Sequence, residues 1–191
     1  MSGRPAIFNS DEDTVRFQEH ISSSLGVAEA AKDVLIVGSA KTGFSLDPDR
    51  YFGPFRDKSD IDIVVVHQGL FDEAWRNMLA WDYLTMKNRT RTENDWLFRR
   101  HCEVWSGCYY PKVWRLRDQG GIDLSFPEFL KPLRRFSFQW FSTFRSLGRY
   151  KYHPEIPRHD ANARLYRTRK HVAMYHAVGL KTLRTRLLSS E

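Results

Sequence analysis

Val34-Leu-Ile-Val-Gly-Ser-Ala-Lys-Thr-Gly43 and, after a loop, Lys58-Ser-Asp-Ile-Asp-Ile-Val-Val-Val66 are the stretches from which the fold is read. The first opens with a short aliphatic run stopped by Gly38-Ser39, which predicts a buried strand over Val34 to Val37. The second opens polar and continues aliphatic, which predicts another strand over Ile61 to Val66. Residues two apart in a strand face the same side, so Asp60 and Asp62 project together while Ile61 and Ile63 enter the core. Two neighbouring carboxylates repel each other. Such a pair is therefore either a divalent-cation site or holds one raised pKa. Mg²⁺ takes a few carboxylates and completes its shell with phosphate oxygens. At the end of the first strand Gly38-Ser39 lets the backbone come close to a ligand and offers amide and hydroxyl donors, which suits a triphosphate beside that metal. Taken singly, an Asp-x-Asp in a strand is most often a solvent-facing alternation, and a Gly-Ser is most often a turn. The reading rests on their combination with Gly43 and a helix behind the second strand.

That combination resembles the signature of the nucleotidyltransferases of the DNA polymerase beta superfamily: a hydrophobic strand, Gly-Ser, a loop with another glycine, then Asp-hydrophobic-Asp-hydrophobic. The resemblance covers about Asp33 to Val66. It implies an α/β (α+β) domain with a small mixed sheet backed by helices. It also implies that Gly38 and Ser39 hold the phosphates of an NTP substrate and that Asp60 and Asp62 bind Mg²⁺ (or Mn²⁺). Similar small bacterial enzymes transfer a nucleotide to RNA, to a protein hydroxyl or to a small molecule, and some act in toxin–antitoxin or phage-defence systems. Active members usually carry a third carboxylate on a later strand, as metal ligand or general base. The candidate is Asp123 within Ile122-Asp123-Leu124, with Glu128 and Glu103 behind it. An Asp before a Ser in a loop near Pro127 is the bland alternative for Asp123. Lys41 and Thr42 follow the Gly-Ser directly, where an ammonium would neutralise a β or γ phosphate; an ordinary surface lysine is the competing reading. The chain departs from the minimal pattern in its long loop, Ala40 to Ser59, which contains Tyr51-Phe52-Gly53-Pro54-Phe55.

Outward from these strands, Asp13 to Lys32 has an imperfect helical spacing interrupted near Gly26. Leu70, Phe71, Ala74, Trp75, Met78, Leu79, Trp81 and Leu84 mark an amphipathic helix, with a break near Asn88 to Asn94 before a second helix from about Asp95 to Trp105. Ile122 to Leu124 reads as a short strand, and Phe136 to Leu147 as a helix packing Phe138, Trp140, Phe141 and Phe144. A last helix is expected from about Asn162 to Leu188, with Leu165, Val172, Tyr175, His176, Gly179, Leu183 and Leu187 on one side.

The chain has 191 residues, 41 % of them hydrophobic, enough for one globular domain and incompatible with a disordered or collagen-like chain. Residues 1–150 are expected to form the nucleotidyltransferase-like domain and 151–191 a basic helical extension packed on it. Residues 1–150 hold 21 basic and 20 acidic side chains, and 151–191 hold 9 and 3, so nearly all of the net +7 lies in the tail. Arg164, Arg167, Arg169, Lys170, Lys181, Arg184 and Arg186 would steer a polyanion, with RNA or a tRNA end as the leading acceptor; a solvated helix face is the alternative. No aliphatic stretch approaches the ~18 apolar residues of a membrane span. The start, Met1 to Arg16, is polar and acidic, so a cytoplasmic protein without a secretory leader is expected.

Cys102 and Cys108 have neither a zinc nor a disulfide spacing and are read as reduced, partly buried thiols. His171 and His176 do not share a helix face, and no P-loop or nucleophile elbow occurs. The leading expectation is a nucleotidyltransferase acting on a macromolecular hydroxyl. The alternatives are protein nucleotidylation and an inactive member serving as antitoxin, regulator or subunit.

Overall fold

The computed structural model describes residues 3–47, 50, 52–56, 59–110, 116–118, 121–123, 139–140, 142–144 and 161–189. It is an α+β chain built on a four-stranded mixed sheet of order β1 (Val34–Val37), β2 (Ile61–Val66), β6 (Ala161–Tyr166), β3 (Cys108–Tyr109), with a separate two-stranded ribbon of β4 (Leu116–Asp118) and β5 (Gly121–Asp123). β1 (Val34–Val37) runs antiparallel to β2 (Ile61–Val66), pairing Val37 with Asp62. β2 runs parallel to β6 (Ala161–Tyr166), pairing Asp62 with Asn162 and Val64 with Arg164, and β6 pairs antiparallel with β3 (Cys108–Tyr109).

The helices begin where local chemistry satisfies their free amides. In α1 (Asp11–Ser24) the Ser10 hydroxyl accepts from the Asp13 amide at 3.1 Å, and Asp11, Glu12 and Asp13 place negative charge at the positive end of the helix dipole. His67 Nδ1 accepts from the Leu70 amide at 3.0 Å to open α3 (Gln68–Thr85). α4 (Arg91–Trp105) starts earlier than its apolar spacing predicts, because Thr90 and Glu93 form a reciprocal capping box just ahead of the periodic residues. Thr90→Ala is expected to lower stability by about 1 kcal/mol in chemical denaturation; an unchanged midpoint would show that packing alone places the start of α4.

Strand alternation separates two cores. Val34, Ile36, Ile61, Ile63, Val65 and Leu165 face the larger one, packed against Phe17 and Ile21 of α1 and Phe71, Ala74 and Met78 of α3. Val37, Val64, Val66, Cys108 and Tyr166 face the smaller one, closed by Val172 of the last helix, α5 (Arg169–Leu188). β2 is therefore buried on both sides past Asp62, as expected of an aliphatic interior strand.

The helix expected from about Asn162 starts instead at Arg169, and Ala161 to Tyr166 form a strand. A segment assigned to the extension thus supplies an interior strand of the sheet, where its backbone groups are satisfied by β2 and β3. Leu165 belongs to the larger core rather than to the helix, whose buried residues are Val172 and Leu183.

The expected strand at Ile122 is present as β5 (Gly121–Asp123), paired with β4 (Leu116–Asp118). Residues 139–140 and 142–144 are helical, with Trp140 and Phe144 buried; the rest of the predicted Phe136 to Leu147 helix lies outside the described residues. Among the described residues no helix is long and apolar enough to cross a membrane.

Candidate functional site

The polypeptide turns sharply where β1 ends. Gly38 has φ +64°, and a Cβ there would sit 2.8 Å from Oδ2 of Asp62, so the carboxylate rests against a position that tolerates no side chain. The next residue, Ser39, opens the short helix α2 (Ser39–Thr42), and Gly43 caps it by donating to the Ser39 carbonyl at 2.8 Å. Ile61 and Ile63 are buried while Asp60 and Asp62 are exposed, as alternation predicts. The glycine-serine turn and the acidic pair therefore meet at one corner of the sheet.

This corner opens into a cleft of about 550 Å³ on the side of the smaller core, lined by Gly38, Asp62, Tyr110, Asn162, Arg164 and Tyr175, among others. Asn162 donates through Nδ2 to Oδ2 of Asp60 at 3.0 Å, and the Tyr110 hydroxyl is 3.2 Å from Oδ1 of Asn162, so the amide holds one acid in place. Asp62 reaches open solvent, but protein atoms displace much of the water around its carboxyl. That partial burial, followed by the charge of Asp60, pushes its pKa up, while Arg164 and Arg50 pull it down. His176 also lines the cleft, and burial followed by the nearby Arg164 charge lowers its pKa, favouring the neutral imidazole.

The remaining expected residues are distributed differently. Lys41 donates from Nζ to the Gly3 carbonyl and lines a second, smaller hollow beside Pro5, Gln18 and Arg169. The Thr42 hydroxyl is held locally, 2.6 Å from the Phe44 carbonyl. Asp123 is in the β4-β5 ribbon, which is not part of the four-stranded sheet. Glu103 pairs with Arg100 at 2.9 Å and accepts from the Tyr110 amide at 3.3 Å. Glu128 lies outside the described residues. The long loop folds back on itself through a Phe44–Pro54 bridge and a tilted contact of the Phe44 and Phe52 rings, 5.6 Å between centres. Both cysteines are free thiols, but Cys102 is exposed and Cys108 buried, where both were expected to be partly buried.

Sequence reasoning missed Asn162 and Tyr110, and it put Arg164 on a helix facing a polyanionic acceptor, whereas Arg164 is on β6 and lines the cleft. The signal for Asn162 and Arg164 was the alternation Ala161-Asn-Ala-Arg-Leu-Tyr166, in which small or apolar residues face one side and polar ones the other. Among the described residues no group of three or more His, Cys, Asp or Glu side chains is arranged to hold a metal ion. The donors that converge here are the two aspartates, hard oxygen ligands of the kind Mg²⁺ takes when phosphate and water complete its shell. No family model matches the chain, and neither curated proteins nor solved structures match it.

Proposed function

We propose that the chain is a Mg²⁺-dependent (or Mn²⁺-dependent) nucleotidyltransferase that moves a nucleoside monophosphate from an NTP to a hydroxyl of a macromolecule, with RNA or a tRNA end as the leading acceptor. The observation that carries this reading is the seating of Asp62 against Gly38, which joins the phosphate-binding type of turn to the acidic pair. Asp60 and Asp62 would hold the cation, which when bound supplies neutralising charge at the triphosphate and acidifies the acceptor hydroxyl. Ser39 and neighbouring amides would position the phosphates. Asn162 orients Asp60 and so limits the rearrangement needed when the site fills. Asp123 remains the proposed third acid.

Incubation with α-labelled NTPs, Mg²⁺ or Mn²⁺ and either RNA or protein acceptors tests the proposal. Label is expected in the acceptor, with release of pyrophosphate. A second reading, a binding module without turnover, is favoured by one observation: beside Asp62 on the neighbouring strand stands Asn162, not a third acid. Metal-dependent nucleotide binding without pyrophosphate release would select it.

The structure changes which basic residues are available to an RNA acceptor. Arg167 pairs with Asp72 at 2.9 Å and Arg169 with Asp33 at 2.7 Å, so two of the expected phosphate contacts are already neutralised within the chain. Lys170, Lys181 and Arg184 are exposed on α5. Replacing these three by Gln is expected to weaken single-stranded RNA binding and flatten the salt dependence by about two units, at roughly 0.7 per phosphate contact. A triple variant with unchanged affinity and slope would make this face merely solvated and move the protein acceptor ahead.

A further inference from the structure

Arg164 sits two residues along β6 from Asn162, on the face of the sheet that carries Asp62. Its guanidinium carbon lies 4.8 Å from the centre of the Tyr175 ring and 5.6 Å from that of Tyr110. Nη1 donates to the Tyr175 hydroxyl. Among the described residues no carboxylate forms an ion pair with it, unlike Arg100, Arg167 and Arg169. A guanidinium presents five donors in a planar fork, and aromatic faces hold that plane without consuming the donors. Arg164 is thus a permanent cation, partly withdrawn from water in a cleft, and among the described residues the Tyr175 hydroxyl and the Cys108 thiol engage its five donors only in part. The separation between the Asp62–Asn162 row and the Val64–Arg164 row is roughly 6.6 Å along the strands. That is the scale of a chain of phosphates rather than of a single one.

We propose that Arg164, held between Tyr110 and Tyr175, binds the far end of a polyphosphate chain whose near end lies at Asp60 and Asp62. This deepens the nucleotidyltransferase reading and rests on it for the near end of the ligand. Arg164 is then a selector for diphosphate and triphosphate groups over monophosphate. Tyr175 is the positioning residue that fixes the guanidinium plane.

The test uses the full chain with inorganic orthophosphate, pyrophosphate and tripolyphosphate as probes, titrated calorimetrically in EDTA and again with Mn²⁺. Affinity is expected to rise with chain length in the unsubstituted protein. In Arg164→Gln, tripolyphosphate affinity should fall at least about tenfold, the effect of losing charge-assisted hydrogen bonds, and the length preference should vanish. Arg164→Lys keeps the charge but loses the fork, and should recover only part of the preference. Mn²⁺ binding measured by electron paramagnetic resonance should persist in Arg164→Gln and not weaken, because losing the Arg164 charge beside Asp62 removes a repulsion on the cation, and retained binding also shows that the cleft is intact.

Equal tripolyphosphate affinity in the unsubstituted protein and Arg164→Gln would overturn the proposal. So would failure of the unsubstituted protein to bind tripolyphosphate under either condition. Arg164-dependent binding in EDTA without any Mn²⁺ binding would support the anion site while removing the metal-dependent reading of the acidic pair.

Discussion

Replacing Asp62 by Asn is expected to lower the proposed metal-dependent nucleotidyl transfer by about 10²–10³-fold or more, the scale on which one lost electrostatic stabiliser acts in a transition state, while leaving the protein folded. The same change should slightly raise stability at neutral pH. Partial burial and then Asp60 hold the Asp62 carboxyl above its ordinary range in the folded protein, against the opposing pull of Arg164 and Arg50. A raised folded pKa means that the unfolded chain accommodates the carboxylate better. The wild type therefore loses stability as pH climbs through the folded pKa, whereas Asn has no proton to lose. The advantage of the variant should vanish below the unfolded value of roughly 3.9 and be complete above the folded one. Denaturant melts across this range, read beside transfer assays, check both parts. Retained transfer would remove Asp62 from the site. A variant less stable than the wild type at pH 7 would make the carboxylate a structural group.

Among the glycines whose surroundings the structure describes, Gly107→Ala is expected to be the most disruptive methyl addition. Gly107 connects α4 to β3 with φ +69°, and a Cβ there would lie 2.1 Å from Cδ2 of His171. The ring cannot simply swing away, because His171 Nδ1 is 2.8 Å from the Thr168 hydroxyl, which ties it to the start of α5. The Gly107 carbonyl also accepts from the Arg167 amide at 3.0 Å, so a shift at this turn pulls on the end of β6. Left-handed strain and forced repacking together should cost about 2–4 kcal/mol, measured as a lowered denaturation midpoint. Gly26→Ala is the comparison: φ is +73°, but the nearest atom to its added Cβ is Gln139 Nε2 at 3.8 Å. It should show the backbone strain alone. Equal losses at the two positions would mean that His171 yields freely.

By itself the sequence determined β1, β2 and the shared face of Asp60 and Asp62, because these depend on short-range periodicity and on glycine as a stop signal, both of which act within a few residues. It likewise announced the break between α1 and β1 and the amphipathic α3. Only the tertiary structure decided β6. Val172 and Leu183 make a helical pattern that reads naturally backward over Leu165, whereas Ala161 to Tyr166 become a strand because a parallel slot beside β2 satisfies their backbone. That slot is formed by residues about a hundred positions away, and no local preference encodes it. The same non-local placement brought Asn162 to Asp60 and Arg164 to the cleft. It also drew Lys41 toward Gly3, and Arg167 and Arg169 onto Asp72 and Asp33. Charge counted along the chain could identify a basic tail, but which of its cations meet a carboxylate and which face the cleft depends on the packing of strands and helices distant in sequence.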